Sequence, residues 1–526
     1  MLLRRSRFRP VSMPAMSSGQ VPAPVRGLQL KRGIAAMKPD EALVLDNWRP
    51  EGGYVKVRGG HVSHATGIGA PIGSLMEWAG PASRKMFAAT ASDIYDVTSP
   101  GAVGAAAVSG LTNAYWQTVN FTTPGGNFLV LANGADAVRN YDGTTWTSPA
   151  ITGVTPANLI GVASYKSRLW FVEKDSTKAW YLGTSSIAGA ATSLELGDKF
   201  RRGGKLQLIG AISRDAGNGA QDVICFISSK GEIAIFQGGD PADDTTWSQV
   251  GLYMSAAPIG NRALAKIDGD LGLLTERGLV SIKQVAQTGQ ASAERTSITG
   301  NIDQGIIDDF AAYGGNTGWE IAIHPRTRQA IINVPKTATT STQYAMNIQT
   351  GAWCTYGRYA SPLNATCWGV LNEKLYFATS SGASSGTVFE AERGYQDNGA
   401  AIIAEMKTSF QAYARGGLFS MSLVRPVFTS GGVITPAIRA NMDYGNDQPL
   451  SADEYPDIPT SFGGTWGVSL WGSGVWTSSG MPFADWLAVS GVGTTASLHM
   501  VVRPNGFELK LNAIDVKYET ATVMAL

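Results

Sequence analysis

The sequence has little cysteine, histidine and charge, and what it lacks excludes several kinds of site. Its three cysteines, Cys225, Cys354 and Cys367, are odd in number and widely spaced, which argues against a disulfide framework or a CxxC metal site. They are expected to be small core residues. None of the four histidines has companions at zinc spacing, so no metal or other cofactor is expected. His61 and His64, beside a glycine turn, are expected to lie in a loop or on the surface.

Long apolar runs are also missing. No stretch approaches the roughly 20 apolar residues that span a bilayer, and the start MLLRRSRFRP is not followed by an apolar run of signal-peptide length. We therefore expect a protein that is made in the cytosol and has no membrane-spanning segment. The formal net charge is only +1, so no global field recruits nucleic acid or an acidic membrane.

Glycine, in contrast, is abundant. The chain has 63 glycines among 526 residues, and only 16% of its residues are charged, which suits many short strands joined by glycine turns. One pattern recurs between residues 70 and 399: an apolar strand, a turn of Gly, Ser or Asp, and a second apolar strand. Its seven instances begin at Lys85, Asn127, Ser167, Asp222, Asp270, Gln329 and Lys374.

The spacing of these repeats leaves room for four strands each, as the blades of a β-propeller require. The sequence therefore predicts an all-β protein with a β-propeller of six or seven irregular blades over residues 70–400. A two-sheet sandwich with long loops could also give this irregular spacing. Trp146, Trp247 and Trp353 each follow a polar turn and are predicted to start outer strands and to pack between blades.

A helix is predicted over residues 301–313, as an insertion after the fifth repeat, because four apolar residues there share one face. Residues 401–526 show long alternating runs around a tryptophan-rich block. They are predicted to form an additional C-terminal β domain that resembles a sandwich.

Residues 39–69 are predicted to form a short helix and one strand, and the strand is expected to pair with later parts of the chain. A proline and two acidic residues favour a helix over residues 39–47. Tyr54–Arg58 alternates polar and apolar side chains, as a strand with one buried face does. Such a strand cannot stand alone, so it is expected to pair with strands from much later in the chain. An ordinary N-terminal loop, helix and strand is the alternative.

Residues 1–38 are predicted to form an extended basic arm. Seven basic residues and no acidic residue lie between Met1 and Arg32, together with several prolines. The arm could be a tether along a neighbouring subunit, a contact with nucleic-acid phosphates, or a solvated terminus. We expect Met1–Val25 to be mobile in the free monomer and to become ordered only against a neighbour.

Two strings in the sequence are similar to motifs found in enzymes, but the residues around them do not fit those motifs. Gly382–Gly386 matches the GxSxG string of a nucleophile elbow, but the flanking residues predict a hairpin instead of a strand-to-helix turn. Asp142–Trp146 is similar to the Asp box of sialidase propellers but lacks one residue, and its turn chemistry explains it. We therefore predict no catalytic residue and no enzyme activity.

Three segments carry a resemblance to a known family. They are KPDEALVLDNWRPEGGYVKVRGG from Lys38, TERGLVSIKQ from Thr275 with the helix that follows it, and FELKLNAIDVKYETATVM from Phe507. They resemble the tail hub or tail nozzle proteins of short-tailed bacteriophages, a family that includes packaged-DNA stabilisation proteins.

The resemblance implies a structural virion protein of the tail. About six copies would form a ring below the portal and adaptor, in contact with tail fibre, spike or needle proteins. Genomic double-stranded DNA would pass through the lumen without sequence-specific contacts. The expected interaction residues are Arg4, Arg5, Arg7, Arg9, Trp48 and Tyr54.

Charge adds one expectation about such a ring. Without the seven basic residues of the arm, the chain has 35 basic against 41 acidic residues. We expect a neutral to acidic lumen that lets DNA slide, with the basic arm directed outward to another tail subunit. Two alternatives stay open: a propeller that binds or processes glycans, and a cytosolic scaffold propeller.

Overall fold

The computed structural model describes residues 16–215, 220–288, 297–414, 417–445, 456 and 481–520. These residues form an all-β protein that contains a β-propeller. Within the described ranges, no helix is long and apolar enough to span a bilayer.

In the described part of the chain, five strands precede the predicted repeats. They are β1 (Met16–Pro22), β2 (Ala42–Asp46), β3 (Trp48–Pro50), β4 (Val55–Val57) and β5 (His61–Thr66).

The predicted repeats fold as consecutive antiparallel sheets. The strands of the first half are β6 (Ser74–Ala79), β7 (Arg84–Ala89), β8 (Asp93–Asp96), β9 (Gly101–Ala102), β10 (Val108–Ser109), β11 (Gln117–Thr123), β12 (Gly126–Ala132), β13 (Arg139–Tyr141), β14 (Trp146–Thr147), β15 (Ile151–Thr152), β16 (Leu159–Tyr165), β17 (Arg168–Glu173), β18 (Lys178–Tyr181), β19 (Gly189–Ala190) and β20 (Thr192–Glu195).

The second half of the repeats contains two α-helices among its described elements. Its elements are β21 (Leu206–Asp215), β22 (Ala220–Ser228), β23 (Glu232–Gln237), β24 (Ser248–Met254), β25 (Leu264–Ile267), β26 (Asp270–Thr275), β27 (Gly278–Ser281), α1 (Ile282–Thr288), α2 (Asp303–Tyr313), β28 (Glu320–His324), β29 (Gln329–Pro335), β30 (Ser341–Asn347), β31 (Ala352–Tyr356), β32 (Ala365–Leu371), β33 (Lys374–Thr379), β34 (Thr387–Ala391), β35 (Gln396–Asp397) and β36 (Ala400–Ala401). Single 3-10 turns lie at Ile34–Ala36, Pro156–Asn158 and Gly382–Ser384.

The remaining strands belong to the C-terminal part. They are β37 (Ala404–Thr408), β38 (Phe419–Ser430), β39 (Ala437–Met442), β40 (Met481–Phe483), β41 (Leu487–Gly493), β42 (Ala496–Val502) and β43 (Leu509–Thr520).

All seven predicted repeats are antiparallel hairpins. The pairs are β7/β8, β12/β13, β17/β18, β22/β23, β26/β27, β29/β30 and β33/β34. The first strand of each sheet contacts the next sheet in chain order, and β32 contacts β6, which closes the ring. This closed order of sheets is a β-propeller, as predicted. The strand β5 completes the sheet of β32–β34, a closure by the N-terminal part that the sequence did not predict.

Aromatic rings fill the spaces between neighbouring sheets. The ring of Trp146 lies 4.9 Å from that of Phe87 in the preceding sheet, and Trp247 stacks on Trp170 at 5.5 Å. The prediction for these two tryptophans is confirmed. Trp353 lies in β31 and is buried. Gly27 forms a β-bridge with Trp353 and lies so close to it that a Cβ at Gly27 would be 2.4 Å from the Trp353 carbonyl oxygen.

The predicted helix after the fifth repeat is present as α2. Its residue Ile306 and Ile302, which directly precedes it, are both buried. The shorter helix α1 was not predicted. The three cysteines are fully buried and free, which confirms their expected place in the core.

The helix predicted over residues 39–47 is wrong. The chain forms β2 there, between β31 and β37 in an eight-stranded sheet of order β28-β29-β30-β31-β2-β37-β42-β39. Ala42 and Leu45 are fully buried, so partners on both sides of the strand outweigh the local helix signals. Asn47 then turns the chain with a φ of 59°, a left-handed conformation that asparagine tolerates better than most residues.

The strand predicted at Tyr54–Arg58 is confirmed as β4. It pairs with β3 and with β43, so that Val55 lies opposite Leu511. The seven-stranded sheet that results has the order β3-β4-β43-β38-β40, with β1 on β43 and β41 on β38. Buried residues of this sheet and of β37 and β42 share the largest hydrophobic cluster. The division of the chain at residue 400 stays a prediction, and the eight-stranded sheet crosses it.

The expectation for the arm is wrong from Met16 onward. The strand β1 pairs along its whole length with β43 of the same chain, from Met16 opposite Glu519 to Pro22 opposite Ala513. No neighbouring subunit is needed to order it, because seven paired residues and the buried Val21 fix it in place.

We expect that removal of residues 1–60, which deletes β1–β4, will abolish soluble folding. Two sheets would lose strands, and the buried edges of β31, β37 and β43 would be left without these partners. A chain that lacks only residues 1–15 is the control and should unfold at the unchanged temperature. Thermal unfolding followed by circular dichroism measures both, and equal unfolding temperatures for the two truncations would contradict the structural role of β1–β4.

Candidate functional site

One segment, residues 16–66, holds the three large sheets together, and we call it the N-terminal segment. It supplies β1, β3 and β4 to the seven-stranded sheet, β2 to the eight-stranded sheet and β5 to the last sheet of the propeller. Any site that needs the propeller and the C-terminal strands in a fixed relation therefore depends on it.

A buried ion pair lies at the centre of this segment. The Arg58 guanidinium, 1% exposed, donates to both carboxylate oxygens of Asp397 at 2.8 and 2.6 Å. Its Nε donates to Asn47 Oδ1 at 2.8 Å, and Nη2 also donates to the Ser361 carbonyl at 3.1 Å. A bidentate pair with this many additional hydrogen bonds is the geometry in which a buried charge is tolerated.

The ion pair shifts the pKa of both groups. Burial alone would raise the pKa of Asp397, but Arg58 and His61 lower it to about 2. Burial would lower the pKa of Arg58, whereas Asp397 raises it, and the net shift is upward. Both groups are therefore charged at neutral pH.

A second ion-pair group lies beside the first. Arg49 pairs with Glu51 at 2.6 Å and with Glu392 at 3.4 Å, and Glu392 also accepts the backbone N–H of Gly59. The chain passes very close here, since a Cβ at Gly60 would lie 1.9 Å from the Gln396 carbonyl oxygen. Glycine is therefore required where the N-terminal segment crosses the end of the propeller.

Asn47 connects these groups to three other parts of the chain. Its amide donates to the carbonyls of Ala360 and Ile403, both at 2.8 Å, while its oxygen accepts from Arg58 and from the N–H of Gly357. All the hydrogen-bonding groups of this fully buried side chain are paired.

The predicted interaction residues are not brought together. Trp48 is fully buried in the main core, which corrects its expected role in surface contacts. Its position in β3 between β4 and the blade strand β31 explains the burial. Tyr54 is half-buried, with the Lys510 ammonium 5.5 Å from its ring centroid. Arg4, Arg5, Arg7 and Arg9 lie outside the described residues.

The other basic residues of the arm pair within the chain. Arg26 contacts Asp40 at 2.8 Å, and two further pairs join Lys31 to Asp303 and Arg32 to Glu41. These three side chains stay about half exposed while they contact the chain's own carboxylates, and the expected contact of the arm with another subunit stays a prediction.

A second cluster crosses the middle of the propeller ring. Arg262, in the loop before β25, donates to the Gly73 and Trp116 carbonyls at 2.8 and 3.2 Å and to Glu320 at 3.0 Å. It also donates to the Ser74 hydroxyl. The sheets of β6 and β11 are not neighbours of Arg262's own sheet, so the side chain must reach across the central channel.

Arg262 contacts a buried carboxylate and an aromatic ring. Burial raises the pKa of Glu320, and Arg262 opposes this shift. The guanidinium carbon lies 5.6 Å from the centroid of the Tyr115 ring, a cation–π contact. Tyr115 lines two cavities, of about 440 and 430 Å³.

The histidines are interior residues, which corrects the expected loop or surface position of His61 and His64. Both lie in β5, where His61 contacts Asp397 at 3.0 Å and His64 Nε2 lies 2.9 Å from the Val97 carbonyl. Across the described residues, no group of three His, Cys, Asp or Glu side chains could hold a metal ion. The GxSxG string forms the turn between β33 and β34, which confirms the predicted hairpin.

The seven-stranded sheet has one packed and one open face. Phe419, Val424 and Val516 on the packed face are fully buried. On the open face, one row across four strands runs from Met16 to Val492, which are 53% and 64% exposed.

The open face also carries an aromatic ring. The indole of Trp486 lies over two cations, 4.7 Å from the Arg425 guanidinium carbon and 4.6 Å from the Lys517 ammonium nitrogen. Trp486 is half-buried, and Met16 and Val492 are the exposed apolar side chains beside it on this face.

No protein-family model and no curated protein matches the chain. Among solved structures, the β-propeller domain of Cps50 (Swd1) from Myceliophteria thermophila is 10% identical, covers 63% of this chain and 98% of its own, and has a TM-score of 0.40. A quinonprotein alcohol dehydrogenase-like protein from Bacteroides thetaiotaomicron is 10% identical over 55% of this chain and 67% of its own, with a TM-score of 0.34. The computationally designed Ika8 protein is 11% identical over 69% and 98%, with a TM-score of 0.35.

We predict that Asp397→Asn will lower the free energy of unfolding by about 3–5 kcal/mol, because Arg58 would be left as an unpaired buried charge. Asp268→Asn is the control, since its pair with Arg328 is about half exposed on both sides and should cost less than about 1 kcal/mol. Urea unfolding of the three proteins measures the difference. Equal losses in the two variants would contradict a special role for the Arg58–Asp397 pair.

The same pair predicts a pH dependence with a defined sign. The folded-state pKa of Asp397 is lowered from 3.8 to about 2, so its stabilisation is present above pH 4 and is lost as the pH falls towards 2. A shift of this size corresponds to about 2 kcal/mol. The difference in urea midpoint between the unmodified protein and Asp397→Asn should therefore shrink over this range, and a constant difference would contradict the assignment.

Proposed function

We propose that this protein is a structural subunit of a short bacteriophage tail, which forms a ring of about six copies below the portal and adaptor. The ring would surround the exit path of the genome and help to retain and release the DNA. The resemblance in the segments from Lys38, Thr275 and Phe507 suggested this role, and the geometry of the chain is consistent with it.

The observation that carries the proposal is the way in which the N-terminal segment joins the sheets. A wall subunit must resist force without a change of shape, and here one short segment contributes strands to the propeller and to both C-terminal sheets. The bidentate Arg58–Asp397 pair and the paired Asn47 fix this segment where the sheets meet. A rigid two-part subunit is the result.

We further propose that the propeller has seven blades, one for each hairpin, with β5 as the outer strand of the seventh. Closure of a ring by strands from distant parts of the chain prevents the blades from opening at their seam. In this view the N-terminal segment closes the propeller before it continues the sheet of the C-terminal part.

The open face of the seven-stranded sheet is the contact that we propose between neighbouring copies. Met16, Val492 and the Trp486 indole would be covered there, while Arg425 and Lys517 would face acidic groups of the neighbour. The lumen would be neutral to acidic, because residues 33–526 have 35 basic against 41 acidic residues. Retention of DNA would then be mechanical rather than electrostatic.

We expect the purified chain to form particles of about six times the 55.5 kDa protomer mass, alone at high concentration or on a portal–adaptor ring. Light scattering coupled to size exclusion measures the mass. Val492→Lys should prevent this assembly without a change in unfolding temperature, because it places a charge in the proposed contact. Val62→Lys, at a 37% exposed position of β5 in the propeller, is the matched control.

Two results would contradict these proposals separately. A chain that stays monomeric under both conditions would overturn the ring. Assembly of Val492→Lys as complete as that of Val62→Lys would leave the ring intact but would exclude the open face as its contact.

A further inference from the structure

The larger cavity beside Tyr115 has an unusual lining, and we call it the Tyr115 cavity. It encloses about 440 Å³ between the loops of residues 70–73, 112–115 and 337–340. This volume lies within the range of about 300–1,000 Å³ that is typical of small-molecule sites. Among the residues that the structure describes, no Asp, Glu, Lys, Arg or His lines it.

Several uncharged polar groups of this cavity make no hydrogen bond to the protein within the described part of the chain. Tyr115 Oη, Thr317 Oγ1, Thr339 Oγ1 and Asn364 Nδ2 belong to residues that solvent reaches, whereas Ser380 Oγ is buried. Ser380 is only 7% exposed, so its unpaired hydroxyl is a cost that a bound hydrogen-bonding group would remove.

The aromatic ring at the cavity is held in a fixed orientation. The Asn113 side chain accepts the N–H of Tyr115 at 3.0 Å and donates to the Asn133 carbonyl at 3.1 Å. Arg262 stacks on the ring and is itself fixed by Glu320 at 3.0 Å. Tyr115 is 39% exposed, so a preorganised ring is presented to solvent.

These features select one chemical class of ligand. A phosphorylated, carboxylated or cationic molecule would lose its hydration in a cavity without an opposite charge. A purely apolar molecule would leave the unpaired hydroxyl and amide groups unsatisfied. A neutral sugar offers many hydroxyls for these groups and C–H faces for an aromatic ring.

We propose that the Tyr115 cavity binds a neutral oligosaccharide built from hexose or N-acetylhexosamine units. The second cavity, of about 430 Å³, shares Tyr115 with it and is lined by Arg262, whose charge is paired with Glu320 at 3.0 Å, so successive sugar units could lie in both cavities. This site concerns the propeller of a single chain and does not depend on the proposed ring.

Saturation-transfer NMR on the full chain tests the proposal. The probes are maltotriose, cellotriose, mannotriose and N,N′,N″-triacetylchitotriose, and trigalacturonate serves as an anionic comparison. We expect at least one neutral trisaccharide to bind and trigalacturonate not to compete. Tyr115→Ala should weaken binding by about tenfold, whereas Tyr115→Phe should keep most of it, because the ring face is the main contact.

Two further variants make the result decisive. Thr339→Trp places a large side chain from an exposed loop into the cavity and should abolish binding even where Tyr115→Ala is too unstable to use. Tyr395→Ala removes a tyrosine of similar exposure, 41%, outside both cavities and should leave binding unchanged. Absence of binding by all four neutral probes, equal competition by trigalacturonate, or binding that survives Thr339→Trp would each overturn the site.

Discussion

The buried contact between Arg58 and Asp397 is the interaction on which the rest of this architecture depends. Arg58 follows β4 of the seven-stranded sheet, whereas Asp397 lies in β35, next to the strand that closes the propeller. The Arg58 guanidinium is 1% exposed and cannot exchange Asp397 for water. The end of β4 and strand β35 are therefore held at a fixed distance. Asn47 adds hydrogen bonds to loops on both sides of the same junction.

This junction explains why a short N-terminal segment can organise a much larger protein. Strand β2 joins a sheet whose other members come from the second half of the chain, β1, β3 and β4 join the sheet of β38 and β43, and β5 closes the propeller. None of these strands could bury its apolar face alone. The fold is therefore of high contact order in this region, because its first described strands pair with its last.

Local patterns in the sequence predicted local structure well. The hairpins that begin at Lys85 or Asn127 consist of two apolar strands around a polar turn, and each such unit contains its own pairing. The wrong predictions concern strands whose partners lie far away in the sequence. Proline and acidic residues at 39–41 favour a helix, but Ala42 pairs with Thr408, more than 300 residues later, and that partner decides the conformation.

The candidate sites were less predictable for the same reason. Nothing near Arg58 in the sequence points to Asp397, which lies 339 residues away. Strand β5 has the sequence HVSHAT, whose polar residues did not indicate the seam of a propeller. The cavity at Tyr115 combines loops from three sheets, so its uncharged lining becomes visible only in the fold.

The cluster around Arg262 finally limits how such a protein could guide DNA. Its side chain crosses the middle of the propeller and contacts sheets on the far side, including the carbonyls of Gly73 and Trp116. The Glu320 carboxylate accepts from Arg262 and from the backbone N–H of Trp368, which adds another sheet to the same cluster. An ion pair held across the channel by these contacts obstructs it. In the proposed ring, the path of the genome must therefore run between the copies, and the propellers act as its rigid wall.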